Sequence, residues 1–105
     1  MSNDATSTIE KPDTRTRKQP PYHVIILNDD DHTVEYVVTL CSSIFGHSVE
    51  KGIEIAKEIH LQGKAIVFTG SLEVAELKQE QIHSFGPDPL IAKCKGSMTA
   101  IIEKA

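Results

Sequence analysis

A cluster of polar side chains directly follows an apolar run near the start of the chain. Residues 24–27 read Val-Ile-Ile-Leu, and Asn28, three consecutive aspartates and His32 come next. Adjacent carboxylates repel one another, so they cost stability unless a positive partner offsets them. The pattern therefore predicts that a cation is bound where a strand ends.

A second histidine completes the chemistry that such a site needs. His60 lies on one helical stripe with Ile53 and Ala56, so we expect its side chain to face the first strand and helix. A lone histidine on an apolar stripe is most often a core residue. The alternative pairs it with Asn28 and Asp29, because an amide oxygen, a carboxylate and a neutral imidazole are three acceptors suited to an ammonium group. This arrangement would bind a primary amine.

Metal binding is the competing interpretation, since the aspartates at 29–31 and both histidines are legitimate ligands. No HExxH motif, spaced acidic calcium loop or cysteine pair accompanies them, so amine binding is favoured and no metal or other cofactor is expected. Cys41 and the serines at 42–43 lie within a helical pattern without a glycine-flanked turn. Nucleophilic catalysis therefore has no support in the sequence.

Composition limits the remaining classes. The chain has 105 residues, 39% of them hydrophobic and 25% charged, which suits one modest core. A net charge of −4 without a basic block argues against nucleic acid and anionic membranes as partners. Cys41 and Cys94 are too few for a disulfide framework, and we find neither a secretion signal nor an apolar run of about 20 residues. We expect a cytoplasmic protein.

The chain divides near Pro20. Residues 1–20 contain almost no large apolar side chain, which predicts a flexible N-terminal extension, and residues 21–105 form the core domain. Hydrophobic periodicity, caps and glycines divide this core into six elements. They are strands over 22–27, 64–69 and 97–103, and helices over 34–45, over 49–62 and from Ser71 to the Gly86-Pro87 pair, with a loop over 86–96.

The order β-α-α-β-α-β predicts an α+β fold, a small three-stranded antiparallel sheet with three helices packed on one face. Thr33 or Asp31 is expected to cap the first helix, which Gly46 ends. Ser48 and Gly63 mark the two ends of the second helix.

Several separated motifs in this order resemble the ClpS family, the adaptors of bacterial and plastid Clp proteases. They are Tyr-His-Val-Ile-Ile-Leu-Asn-Asp-Asp at 22–30, Val-Glu-Tyr-Val at 34–37, His-Leu-Gln-Gly-Lys-Ala at 60–65, Glu-Val-Ala-Glu-Leu-Lys at 73–78 and Glu-Lys-Ala at 103–105. The resemblance implies a binding module, not an enzyme. It would capture N-degron substrates, whose first residue is Leu, Phe, Tyr or Trp, and deliver them to a ClpA- or ClpC-type AAA+ unfoldase.

The resemblance also implies roles for individual residues. Asn28, Asp29 and His60 match the residues that grip the substrate α-amino group, and Asp30 and His32 are candidates for the rim. The walls of the side-chain pocket match Ile26, Val34, Val37, Ala56, Ile59 and Met98. Glu73 and Lys78, on the third helix, match the surface that docks on the unfoldase, with a solvated helix face as the alternative.

Two departures from the family pattern concern the pocket. His32-Thr33-Val34 replaces the usual Thr-Pro-Met, and Ala56 replaces a Met, so the wall loses volume. We hypothesise that the pocket accepts Leu and aromatic residues and excludes Ile and Val less strictly. The alternative is that Met98 or His32 refills the space and narrows specificity.

Two other classes of function stay open at this point. One is a binding module of the same fold whose acidic rim meets a basic protein surface. The other is a metal-dependent hydrolase centred on the acids and His60.

Overall fold

A computed structural model describes residues 19–92 and 94–105. The N-terminal extension predicted over residues 1–20 lies almost entirely outside these described residues. The elements are β1 (Tyr22–Leu27), α1 (Val34–Phe45), α2 (Val49–Gln62), β2 (Lys64–Gly70), α3 (Leu72–His83) and β3 (Ala100–Lys104). No helix in this part of the chain combines the length and apolar content that a membrane span requires.

The three strands form one antiparallel sheet in which β1 is the central strand, between β2 and β3. Val24 and Ile26 of β1 are fully buried and share one core cluster with residues from all three helices. The helices therefore cover one face of the sheet. The predicted α+β class, element order and strand arrangement are confirmed.

The helix ends follow the local capping signals. The Thr33 hydroxyl accepts a hydrogen bond from the Tyr36 backbone N–H, so Thr33, rather than Asp31, caps α1. Gly46 and Gly63 end α1 and α2 with φ angles of 72° and 85°, a left-handed conformation that glycine adopts without steric cost.

Two boundaries differ from the prediction near the 86–96 loop. Helix α3 ends at His83, short of the Gly86-Pro87 pair, because Phe85 turns to pack edge-on against Tyr36 at 5.6 Å. Strand β3 begins at Ala100 instead of Ser97. The Ser97 hydroxyl accepts from the Gly86 N–H at 2.6 Å, so Ser97 fastens the loop. Before Ala100, the Thr99 carbonyl, which accepts from the Leu27 N–H at 2.9 Å, continues the contact with β1.

The apolar stripe predicted for α2 is not the face that the helix buries. Ile53 is 42% exposed and His60 is also exposed, and the buried face consists of Gly52, Ile55, Ala56 and Ile59. The cause is the contact with α1, where a Cβ on Gly52 would lie 3.0 Å from the Val38 Cα. A pattern of apolar residues does not reveal that a glycine lets a neighbouring helix approach this closely. The rotation moves His60 out of the core, which excludes the core-histidine interpretation.

We predict that Leu40→Ala lowers the free energy of unfolding by about 2–5 kcal/mol, measured by urea denaturation. Leu40 is fully buried in the core cluster, so the truncation leaves a cavity. The matched control is Leu61→Ala on α2, where the side chain is 72% exposed and the change should stay within about 0.5 kcal/mol. Equal losses in the two variants would contradict the packing described above.

Candidate functional site

A cavity of about 250 Å³ opens where β1 ends, between α1 and α2. It is lined by Asn28, Asp29, Asp30, His32, Val34, Val37, Ala56, Ile59, His60 and Met98. The structure therefore brings together the three residues predicted to hold an amine, both rim candidates and five of the six predicted pocket residues.

The cavity has an apolar floor and a polar rim. Val37, Ala56, Ile59 and Met98 are each at most 7% exposed and form the floor. Asn28 and His60 are exposed and Asp29 is half-buried, so hydrogen-bond acceptors surround the opening. Val34 is 52% exposed and contributes apolar surface to the same lining.

A backbone contact holds the two sides of the rim together. The Asn28 N–H donates to the Gly63 carbonyl at 2.9 Å, and the Gly63 N–H donates to the Ile59 carbonyl at 2.9 Å. The end of β1 is thereby joined to the last turn of α2, which carries His60. The side chains of Asn28 and His60 both line the cavity, and within residues 19–92 and 94–105 neither forms a hydrogen bond.

Asp29 is oriented by its own turn. Its Oδ1 accepts from the Asp31 backbone N–H at 2.9 Å and from Nδ1 of His32 at 2.7 Å. Both of these bonds use the same oxygen, which leaves Oδ2 for a ligand. The His32 side chain is only 3% exposed, so this candidate for the rim is buried beneath it.

Asp88 fastens the 86–96 loop to the start of α1, and the sequence did not predict this role. It is 2% exposed and accepts from the Thr33 N–H at 2.7 Å, the Thr33 hydroxyl at 2.8 Å and the Leu90 N–H at 2.9 Å. The signal was the Pro87-Asp88-Pro89 run, because an aspartate between prolines favours a turn that its carboxylate stabilises. The partner Thr33, 55 positions away, had no such signal.

The charge on this carboxylate is maintained by its hydrogen bonds. Burial alone would raise the pKa of Asp88, but the bonds from Thr33 and Leu90, together with the charge of His32, outweigh it. The pKa of Asp88 is therefore lowered from its ordinary value of 3.8.

Three predicted residues lie outside the cavity lining. Ile26 is fully buried in the core cluster and does not reach the lining. Glu73 is exposed in the first turn of α3. Lys78 donates from Nζ to the Ile44 carbonyl at 2.8 Å and lies 5.7 Å from the centre of the Phe45 ring, so it also ties α3 to the end of α1.

The described residues do not supply a metal-ligand set. Among residues 19–92 and 94–105, no three side chains of His, Cys, Asp or Glu come close enough together to hold an ion. This part of the chain therefore contains no set of metal ligands that would support the metal-dependent hydrolase interpretation.

The arrangement suits a ligand that has one hydrophobic side chain and a primary amine next to it. At about 250 Å³, the volume is below the roughly 300–1,000 Å³ that is usual for sites of drug-sized ligands, which suits a single side chain. An ammonium group at the opening would meet an amide oxygen, a carboxylate oxygen and an imidazole nitrogen.

Comparisons with known proteins agree on one family. Residues 17–90 match the family model described as "ATP-dependent Clp protease adaptor protein ClpS". A Desulforapulum autotrophicum protein named "ATP-dependent Clp protease adapter protein ClpS" is 40% identical over 76 residues, or 72% of this chain and 73% of that protein. A Synechococcus protein of the same name is 36% identical over 85 residues, or 78% of this chain and 93% of that one.

A solved structure shows the same fold. It is that of Agrobacterium tumefaciens ClpS2 bound to L-phenylalaninamide, and the TM-score is 0.70 at 24% sequence identity. The match covers 82% of this chain and 98% of the other.

We predict that Asp88→Asn lowers the free energy of unfolding by about 2 kcal/mol at neutral pH, because it removes a buried, hydrogen-bonded charge. The lowered pKa means that this stabilisation is complete above 3.8 and is lost as pH falls through the folded-state pKa. The difference between wild type and variant should therefore shrink on acidification, in urea unfolding from about pH 7 to about pH 3. Asp31→Asn, at an exposed aspartate, is the control and should change stability little. A difference that stays constant with pH would contradict the prediction.

Proposed function

This chain belongs to the ClpS family of Clp protease adaptor proteins, and from that premise we propose that it captures proteins by a bulky hydrophobic N-terminal residue and delivers them to a ClpA- or ClpC-type unfoldase. The family consists of adaptors, not enzymes. The observation that carries the proposal is the placement of three acceptors, on Asn28, Asp29 and His60, beside a buried apolar floor.

In the proposed complex, the first side chain of the substrate enters the cavity and its α-ammonium group stays at the rim. The floor removes apolar surface from water, which provides affinity of about 25 cal/mol per Å² buried. The ammonium group donates to Asn28, Oδ2 of Asp29 and His60. Any residue that precedes the bulky one removes the free amine from this position, so only a true N-terminus satisfies both parts of the site.

The ligand named for the Agrobacterium tumefaciens relative supports this assignment. L-phenylalaninamide combines a primary amine with an aromatic side chain on the same carbon atom. Those are the two chemical groups that the rim and the floor of this cavity accommodate.

We place the unfoldase-binding surface on α3, at Glu73 and Lys78. Glu73 is exposed and free to contact a partner. The Lys78 ammonium group is engaged with the Ile44 carbonyl, so it would contribute by fixing the angle of α3 as well as by its charge. The curated relatives are bacterial proteins, which supports the bacterial cytoplasm as the proposed location.

We predict that a peptide with a free N-terminal Phe binds and that its acetylated counterpart does not, measured by fluorescence anisotropy. Acetylation removes the charge and two of the three donors that the rim requires. His60→Ala should weaken binding of the free-amine peptide by about tenfold or more, since hydrogen bonds to charged groups contribute roughly 1.5–3 kcal/mol.

His23→Ala is the matched control, because His23 bonds Thr69 across the sheet and does not line the cavity. Equal binding of the two peptides would reduce the site to a hydrophobic groove or an acidic docking surface. An absence of binding to either peptide would refute the proposed function.

We predict that Ala56→Met increases discrimination against N-terminal Ile and Val relative to Leu and Phe by about tenfold. Ala56 is 7% exposed in the cavity floor, so the longer side chain removes free volume there. The control is Val49→Met on the same helix, where the side chain is 58% exposed and outside the lining. A wild-type protein that already rejects Ile and Val as strictly as the Ala56→Met variant would contradict the wider pocket.

A further inference from the structure

His32 lies where the amine site meets the 86–96 loop. Its side chain is 3% exposed, and both ring nitrogens have oxygen partners. Nδ1 lies 2.7 Å from Oδ1 of Asp29, and Nε2 lies 2.8 Å from the Gly96 carbonyl oxygen. These two contacts join residues 67 positions apart in the chain.

The chemistry of these partners determines the protonation of the ring. A carboxylate oxygen and a carbonyl oxygen can only accept, so both ring nitrogens must donate. A neutral imidazole has one N–H and satisfies only one of the two oxygens. The imidazolium has two N–H groups, so the cationic ring satisfies both oxygens at once.

The surroundings of His32 contain two carboxylates, of which Asp29 is in direct contact with the ring. Asp29 lies in the turn after β1. Tyr36, on α1, has its ring centre 4.4 Å from that of His32. The loop contributes Cys94, with Sγ 3.4 Å from Nε2, and Asp88, which feels the charge of His32. On α2, His60 lines the same cavity.

The ring connects the rim of the cavity to its floor. Asp29 is the rim carboxylate, and Gly96 precedes the floor residue Met98 by two positions. A cationic ring holds both, whereas a neutral ring releases either the carboxylate or the loop.

On the basis of the proposed function, we propose that protonated His32 is a positioning residue that holds Asp29 and the 86–96 loop in the geometry that binds an N-terminal amine, so that loss of its proton weakens binding. The ring does not itself touch the ligand amine. Its charge is engaged with Oδ1 of Asp29, while the ligand ammonium takes Oδ2, so the positioning effect exceeds the repulsion between the two cations.

The test is the ratio of wild-type to His32→Gln affinity for the free-amine Phe peptide, from about pH 5.5 to about pH 8.5, the range in which histidines titrate. Glutamine keeps a donor group and does not change charge. The same peptide is used with both proteins, so the protonation of its own free amine cancels in the ratio. We expect the wild type to bind about tenfold more tightly at the acidic end and the ratio to fall as pH rises.

His23→Gln is the matched control, since the same replacement at a histidine outside the cavity should give a ratio near one at every pH. A ratio for His32→Gln that does not change with pH would reduce His32 to a packing residue. A ratio that rises with pH would show that cation repulsion dominates. Either result overturns the proposal.

A second measurement separates this inference from the proposed function. Nitrogen-15 NMR of the His32 ring in the free wild-type protein should show both nitrogens protonated at the pH where the free-amine peptide binds most tightly, and one protonated nitrogen there would refute the inference. This result does not depend on peptide binding or on the folding of a variant. Failure of the wild type to bind the free-amine peptide would instead refute the proposed function.

Discussion

The arrangement of the helices and of the cavity depends on the abrupt change from buried apolar residues to carboxylates at the end of β1. Val24 and Ile26 must be covered by helices, while the aspartates that begin three positions after Ile26 must stay hydrated or gain a partner. Two contacts just after β1 meet these requirements. The Asn28 N–H bonds to the Gly63 carbonyl and joins the strand end to α2, and the His32 ring is the partner of the Asp29 carboxylate. The cavity exists because the core ends and the polar rim begins at this point.

The close approach of α1 and α2 shapes that cavity. Gly52 lets the two helices come together at Val38, which places the Val37 side chain of α1 in the same lining as Ala56 and Ile59 of α2. The floor is thus a continuation of the core cluster and is as rigid as the core. A preformed floor costs little entropy when a ligand side chain is bound, which suits the proposed capture of an N-terminal residue.

The 86–96 loop is part of this site despite its irregular backbone. Asp88 fastens it to the N-terminus of α1, the Tyr36 hydroxyl donates to the Gly86 carbonyl, and His32 reaches Gly96. Each of these contacts leads back to α1 or to the turn before it. The loop therefore places Met98 in the floor of the cavity, and the bond from the Leu27 N–H to the Thr99 carbonyl holds the next residue against β1.

The sequence by itself determined the elements and most of the residues at the cavity. Thr33, Ser48, Gly46 and Gly63 set helix ends through contacts within a few residues, and such local signals are readable from the order of residues alone. The polar run after β1 and His60 were predicted from the sequence as an amine-binding set, and the structure places them at one cavity. Tertiary structure alone decided the rotation of α2 about Gly52, the burial of Ile26 away from the lining, the burial of His32 and the role of Asp88. The buried face of α2 depends on Val38 of another helix. The burial of His32 and of Asp88 depends on partners more than 50 positions away, Gly96 and Thr33, and a local pattern carries no information about such partners.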